Sequence, residues 1–361
     1  MSKRINRRVF AKTGAVVALG LTPLEVAAST ESPQTSNAAE MLDVRPYQLM
    51  CIVCRVGGGQ SEGLRDARLN EILAAVRKDP KLPIRLRMNA DSVYRYQNPG
   101  PAEDTPEGEL FNIKRDLDII QKLGLVPGDA RPAIDLFERL LANIPTAMGI
   151  CGYKTATADT WRGCPQAACG DYEKGRTMGV KALVPPRDEQ EKAEFKKAST
   201  TAIYQATTLR IRPHHLMCMA CFFGDRMDKF SPIAEDNLYE AIDVVQKNLD
   251  IPIKLIRGTC MICPPCSHYD PKTKFCIGGR SMALRDQKKD LDVLQKLGLK
   301  YGDTLPARKL YKLLFERIPS TRDICGYGDG KKRAAEWSIC GDPEGRKAYS
   351  KARSAMLGID G

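Results

Sequence analysis

The chain has 361 residues, 43% of them hydrophobic, with 13 cysteines, three histidines and a formal net charge of +12. That length supports a substantial core and two domains. The sequence contains no H-E-x-x-H, no P-loop and no G-x-G-x-x-G, and Gly57-Gly58-Gly59 lacks the spacing of a phosphate cradle, so the reaction classes that those motifs mark find no support. The positive charge is scattered over amphipathic helices whose solvated faces explain most of it, and no specific nucleic-acid binding is expected.

Residues 1–28 read as a twin-arginine export signal. Arg7 and Arg8 stand in N-R-R-V-F-A-K, an apolar run extends from Gly14 to Ala28, and Val26-Ala27-Ala28 offers a small-residue cleavage site. The expected partner is the twin-arginine export machinery, and the expected destination is periplasmic or otherwise extracytoplasmic. Cleavage would remove five basic residues and one acidic residue, taking the charge from +12 to +8. Residues 29–41, rich in Ser, Thr, Ala, Pro and Asn, form a flexible spacer. No later stretch is apolar for long enough to span a bilayer, so the mature protein is expected to be soluble.

Two homologous repeats follow, at 42–180 and 209–357, joined by a linker over 181–208. Cys51 and Cys54 match Cys218 and Cys221 at an offset of 167, and Pro83-Ile84 matches Pro252-Ile253 at 169. D-L-D-I-I-Q-K-L-G-L from Asp116 matches D-L-D-V-L-Q-K-L-G-L from Asp290 at 174, an offset that holds through I-C-G-Y at Ile150 and Ile324. A period this long means duplicated domains, not a solenoid of short units.

Each repeat opens on an Arg-Pro corner, R-P-Y-Q-L-M-C-I-V-C from Arg45 and R-P-H-H-L-M-C-M-A-C from Arg212. Proline turns the preceding residue extended and tolerates the first turn of a helix, which predicts a strand or loop running into a helix. The C-x-x-C thiols are then expected near that helix's start, where the dipole favours thiolate. Leu69, Ile72, Leu73 and Val76 fall on one helical face, as do Leu238, Ala241, Ile242, Val245 and Leu249. L-P-I-R-L-R and I-P-I-K-L-I alternate as half-buried strands. The D-L-D helices should end at Gly124 and Gly298 in left-handed caps, with further helices near Leu136–Leu141 and Leu310–Ile318. The predicted class is α+β, each domain a small sheet with covering helices and cysteine-bearing loops gathered at one end.

Duplication sorts the cysteines. Cys51, Cys54, Cys151 and Cys169 correspond to Cys218, Cys221, Cys325 and Cys340, with Cys164 competing for the match to Cys340 because Trp161 and Trp337 each lie three residues ahead. Cys260, Cys263, Cys266 and Cys276 belong to the second repeat alone, in C-M-I-C-P-P-C-S-H-Y-D-P-K-T-K-F-C, where the first has Met88 to Gln97. Three closely spaced thiolates with a fourth nearby suit either zinc or a [4Fe–4S] cluster. Loading before export favours iron–sulfur. In an oxidising compartment disulfides are the default reading, although an odd cysteine count leaves one thiol unpaired in an all-disulfide monomer. His214, His215 and His268 all neighbour cysteines. The first repeat has Tyr47 and Gln48 at the first two positions, so a site common to both domains cannot depend on imidazole, and His268 is the alternative ligand inside the loop.

R-P-H-H-L-M-C, C-M-I-C-P with the later Cys276, the D-L-D helix and Ile324-Cys325 with downstream Trp337 resemble a small bacterial and archaeal domain of unknown function. Its signature is R-P-H-H-L-L-C. The resemblance covers residues 209–341, with a diverged copy at 42–171. It implies iron–sulfur binding and, position by position, points to Cys218, Cys260, Cys263, Cys276 and Cys325 as ligands. The family commonly has I-C-x-x-C-E-W, whereas Gly328 stands here at the second cysteine, and Cys221 is a local addition. The leading expectation is an exported, cysteine-ligated iron–sulfur protein passing electrons to a redox partner. The alternatives are a zinc- or disulfide-stabilised binding module with a basic surface and, more weakly, a thiol oxidoreductase using its C-x-x-C pairs.

Overall fold

The computed structural model describes residues 41–60, 66–277, 283–340 and 344–359. The export signal and nearly all of the spacer lie outside the described residues. Two three-stranded sheets are present. In the first, β1 (Leu42–Val44) runs parallel to β2 (Pro83–Leu86), which is antiparallel to β3 (Ala130–Pro132). In the second, β4 (Leu209–Ile211), β5 (Pro252–Leu255) and β6 (Thr304–Pro306) repeat that order and those directions. The alternation of P-I-R-L and P-I-K-L has a direct outcome: Ile84, Leu86, Ile253 and Leu255 are fully buried, each worth about 1.5–3 kcal/mol of transfer from water.

The parallel pair in each half is connected through two helices, as a parallel crossover requires. These are α1 (Pro46–Gly57) and α2 (Ala67–Lys78) in the first half, and α7 (Pro213–Arg226) and α8 (Leu238–Lys247) in the second. Then come α3 (Glu109–Leu123) and α4 (Ala133–Asn143), matched by α9 (Leu284–Leu297) and α10 (Ala307–Arg317). Gly124 and Gly298 close α3 and α9 at φ 65° and 70°, the left-handed caps that their position predicts. The halves end in α5 (Asp171–Met178) and, after the single turn α11 (Arg322–Cys325), in α12 (Lys347–Ser354). The linker carries α6 (Glu189–Tyr204), with Asp188 capping its first turn.

Equivalent anchors hold both halves. The Arg45 guanidinium and the Tyr47 N–H both donate to Asp116, at 2.9 Å each, and Arg212 and the His214 N–H do the same to Asp290 at 2.6–3.0 Å. Each pair ties the start of α1 or α7 to α3 or α9. At the far ends of α1 and α7 the backbones of α5 and α12 approach closely. A Cβ on Gly57 would lie 1.9 Å from the Asp171 carbonyl oxygen, and one on Gly224 would lie 1.8 Å from that of Ala348.

The two halves also touch near the second half's cysteines. Lys81 pairs with Asp270 at 3.3 Å, and Arg131 and Arg139 converge on Glu336. From the linker, Arg187 donates to the carbonyls of Pro264 at 2.6 Å and Cys266 at 2.9 Å while packing over Phe195 and Tyr269. The loop bearing the extra cysteines is therefore gripped from outside its own domain.

Candidate metal centre

The C-x-x-C thiols do not sit at helix starts. Pro46 and Pro213 begin α1 and α7, so Cys51 and Cys218 fall on the second turn and Cys54 and Cys221 on the third. The N-terminal dipole has faded by then, and burial dominates. It pushes Cys51, Cys54 and Cys221 up to about 12, and Cys218 well above its ordinary value. What the corner achieves is register. His215, Cys218 and Cys221 lie three residues apart, on one helix face.

In the second half that face meets the cysteine loop. The His215 Nδ1 lies 3.1 Å from the Cys260 sulfur, and Cys260 and Cys263 are 3.8 Å apart, sulfur to sulfur. Among the described residues, His215, Cys260 and Cys263 form a triad with donor atoms mutually within 4.8 Å, and His214, His215 and Cys218 form another. These clustered His and Cys side chains are able to coordinate a metal ion. Burial opposes ionisation of Cys260, but its hydrogen bonds to Cys263 and His215 and the nearby histidine draw the thiol down, while Cys263 is held up by sharing the proton and by burial.

His214 also belongs to the Arg212–Asp290 anchor: its Nδ1 lies 2.8 Å from Asp290, and burial takes the imidazole down to about 4. Cys263, Cys266, His268 and Cys276, together with His215 and Cys218, line a cavity of about 570 Å³. His268 contributes its backbone N–H, which donates to the Cys266 sulfur at 3.4 Å, and its ring belongs to neither triad.

A different set of thiols gathers behind α7. Cys218, Cys221, Cys325 and Cys340 all line a cavity of about 210 Å³, and the Cys340 N–H donates to the Cys325 carbonyl at 3.3 Å. A hydrogen bond between their side chains raises Cys325 and lowers Cys340 to about 5. The first half repeats the arrangement. Cys51, Cys54, Cys151 and Cys164 line a cavity of about 260 Å³, and the Cys164 N–H donates to the Cys151 carbonyl at 2.7 Å. This shared backbone bond makes Cys164 the counterpart of Cys340. Cys169 is exposed, its sulfur accepting from the Asp171 N–H at 3.5 Å at the start of α5. Among the described residues, no disulfide joins the cysteines of either cavity.

Other contributors lie outside the predicted ligand set. His215, which the sequence leaves open between ligation and a hydrogen-bonding role, is common to both triads. Asp116 and Asp290, taken only as helix markers, orient the Arg-Pro corners. Arg115 and Lys289, at the offset of 174, are buried cations beside the thiols; their signal was a basic residue directly before the D-L-D motif. Compared with known protein families, curated proteins and solved structures, the chain matches none.

Proposed function

We propose that the protein is an exported metal-binding protein whose second half carries a mononuclear, zinc-type site that orders the cysteine loop. The observation that carries this reading is the tight triad of His215, Cys260 and Cys263. Zn–S bonds of about 2.3 Å in a tetrahedron put neighbouring sulfurs about 3.8 Å apart, the separation of Cys260 and Cys263. A mixed imidazole and thiolate set is a common zinc environment, and Cys266 and Cys276, which line the adjoining cavity, are the candidates for a fourth ligand. Export rests on the N-terminal sequence pattern. Iron–sulfur chemistry and transfer of electrons to a partner form the second reading, favoured by the all-thiol cavities. The oxidoreductase reading is disfavoured, because the C-x-x-C thiols stand on the second and third turns of α1 and α7, away from the helix start where the dipole favours a thiolate.

Metal analysis of the full chain tests the site. Wild type should hold about one zinc, Cys263→Ser and His215→Gln should lose it, and Cys169→Ser should retain it. After removal of the metal with a chelator, trypsin should cut within residues 257–274 faster than elsewhere, since metal binding and local order are coupled. Zinc content unchanged in Cys263→Ser would refute the reading.

A further inference from the structure

The zinc-type site of the cysteine loop uses one of the two His and Cys triads. The other, His214, His215 and Cys218, also brings its donor atoms mutually within 4.8 Å. All three residues stand on the first two turns of α7, and the two imidazole rings meet edge to face with centroids 4.6 Å apart. Cys218 lines both the cavity of about 570 Å³, which His215 also lines, and the cavity of about 210 Å³. An ion therefore has a way in to the thiol.

His214 is oriented for ligation. Its Nδ1 lies 2.8 Å from Asp290, and that carboxylate, paired with Arg212, accepts and does not donate. The Nδ1 proton is thus committed to Asp290, and Nε2 keeps its lone pair. Metal-binding imidazoles are held in this way, by a carboxylate on the ring nitrogen that does not bind the ion. His215 places Nδ1 3.1 Å from the Cys260 sulfur, which leaves its Nε2 for a second ion. The first half shows the same helix start without imidazoles. There Tyr47 and Gln48 spend their side chains on the backbone: the Tyr47 hydroxyl donates to the Glu103 carbonyl at 2.7 Å, and the Gln48 carbonyl accepts from the Arg45 N–H at 2.9 Å.

The donor sets separate the metals. One imidazole with two thiolates is met at zinc, whereas two imidazoles with one thiolate mark copper sites, and the soft thiolate selects Cu(I). We propose that His214, His215 and Cys218 hold a copper ion, with His215 bridging it to the ion of the cysteine loop. Binding releases the Cys218 thiol proton and the remaining His215 ring proton, since ligands coordinate in their deprotonated forms. The bridge rests on the zinc-type site; the ligands His214 and Cys218 do not.

The test uses the full chain, loaded with zinc and then equilibrated without oxygen with cuprous ion in a competing chelator, which keeps weak thiol sites empty. Wild type should hold about one copper together with about one zinc, and X-ray absorption at the copper edge should find about two nitrogen neighbours for each sulfur. Cys218→Ser should lose copper and keep zinc. Cys263→Ser should lose zinc and keep copper, and His215→Gln should lose both. Should Cys218→Ser fail to fold by circular dichroism, His214→Tyr takes its place, because the first half carries tyrosine there over the same anchor; it too should lose copper alone. Zinc absent throughout, with copper still lost from these two variants, would refute the cysteine-loop site and leave the copper site standing. Copper that displaces zinc one for one, copper undiminished in Cys218→Ser and His214→Tyr, or sulfur alone around the copper would overturn the proposal.

Discussion

The two halves share a sheet, an anchor and a thiol cavity, and they part company at one loop. In the second half the residues after β5 carry Cys260, Cys263, Cys266 and Cys276, met by His215 from α7. In the first half the segment after β2 has no cysteine and is closed by amides. Asn89 and Gly100 exchange a pair of hydrogen bonds at 3.1 Å each, and Asn98 bonds Ala90 in both directions at 2.9 and 3.3 Å. One loop is pinned by asparagine side chains; the other converges its donors on a point where a metal ion fits. Evolution of a duplicated scaffold thus separated what both copies need, the buried anchor and the four-thiol cavity, from what one copy added.

The anchors offer the largest test of that likeness. Arg45 serves two carboxylates, Asp104 and Asp116, whereas Arg212 serves Asp290 alone, which also keeps bonds from the His214 ring and N–H. Breaking a buried pair by removing one partner costs about 3–5 kcal/mol. Arg45→Met should therefore lie at the upper end of that range and Arg212→Met at the lower end, read from urea midpoints. Equal losses would mean that His214 contributes nothing to holding Asp290.

The helix contacts come next. Gly57→Ala and Gly224→Ala each drive a methyl into a backbone carbonyl that cannot move aside alone, and overpacking of this kind costs about 1–3 kcal/mol. The closeness of the two approaches predicts similar falls in melting temperature, and a large inequality would break the equivalence of the α1–α5 and α7–α12 contacts.

The smallest expected effect lies in the strands. Asp43 faces Arg85 across the parallel register of the first sheet and takes hydrogen bonds from it at 2.7 and 2.8 Å, while at the matching register position Arg210 faces Lys254. Like charges directly opposite are unfavourable, so Lys254→Glu should stabilise the second half by about 0.2–1 kcal/mol. The Arg85 hydrogen bond holds the Asp43 carboxyl below its usual value of 3.8. Its stabilising contribution is complete above that value and is lost as pH falls through the lower, folded-state one. An acid titration of Asp43→Asn beside wild type should show the difference vanish at low pH; a constant difference would mean that the pair does not act through charge.

Much of this was legible locally. The duplication, the Arg-Pro helix starts, the glycine caps and the alternating strands are written in short-range patterns, because each depends on backbone geometry within a few residues. The same patterns misplaced the C-x-x-C thiols relative to the helix N-terminus: proline marks the first turn, and the count from Pro46 and Pro213 puts the sulfurs one to two turns further in. Alignment matched Cys340 to Cys169 with Cys164 competing, and the backbone bonds of Cys164 and Cys340 favour the competitor. His268, inside the cysteine loop in sequence, lines the same cavity as His215, and the His215 ring is the one 3.1 Å from the Cys260 sulfur.

By itself the sequence determined that there are two copies of one α+β unit, which elements each contains, and which cysteines the copies share. These follow from periodicity and alignment, which need no knowledge of contacts between distant residues. Only the tertiary structure decided which sulfurs meet. Cys51 and Cys151, or Cys218 and Cys340, stand about a hundred residues apart in the chain. Their convergence depends on how α1 and α7 are pinned to Asp116 and Asp290 and how the later loops fold back, and through-space packing of that kind leaves no local pattern to read.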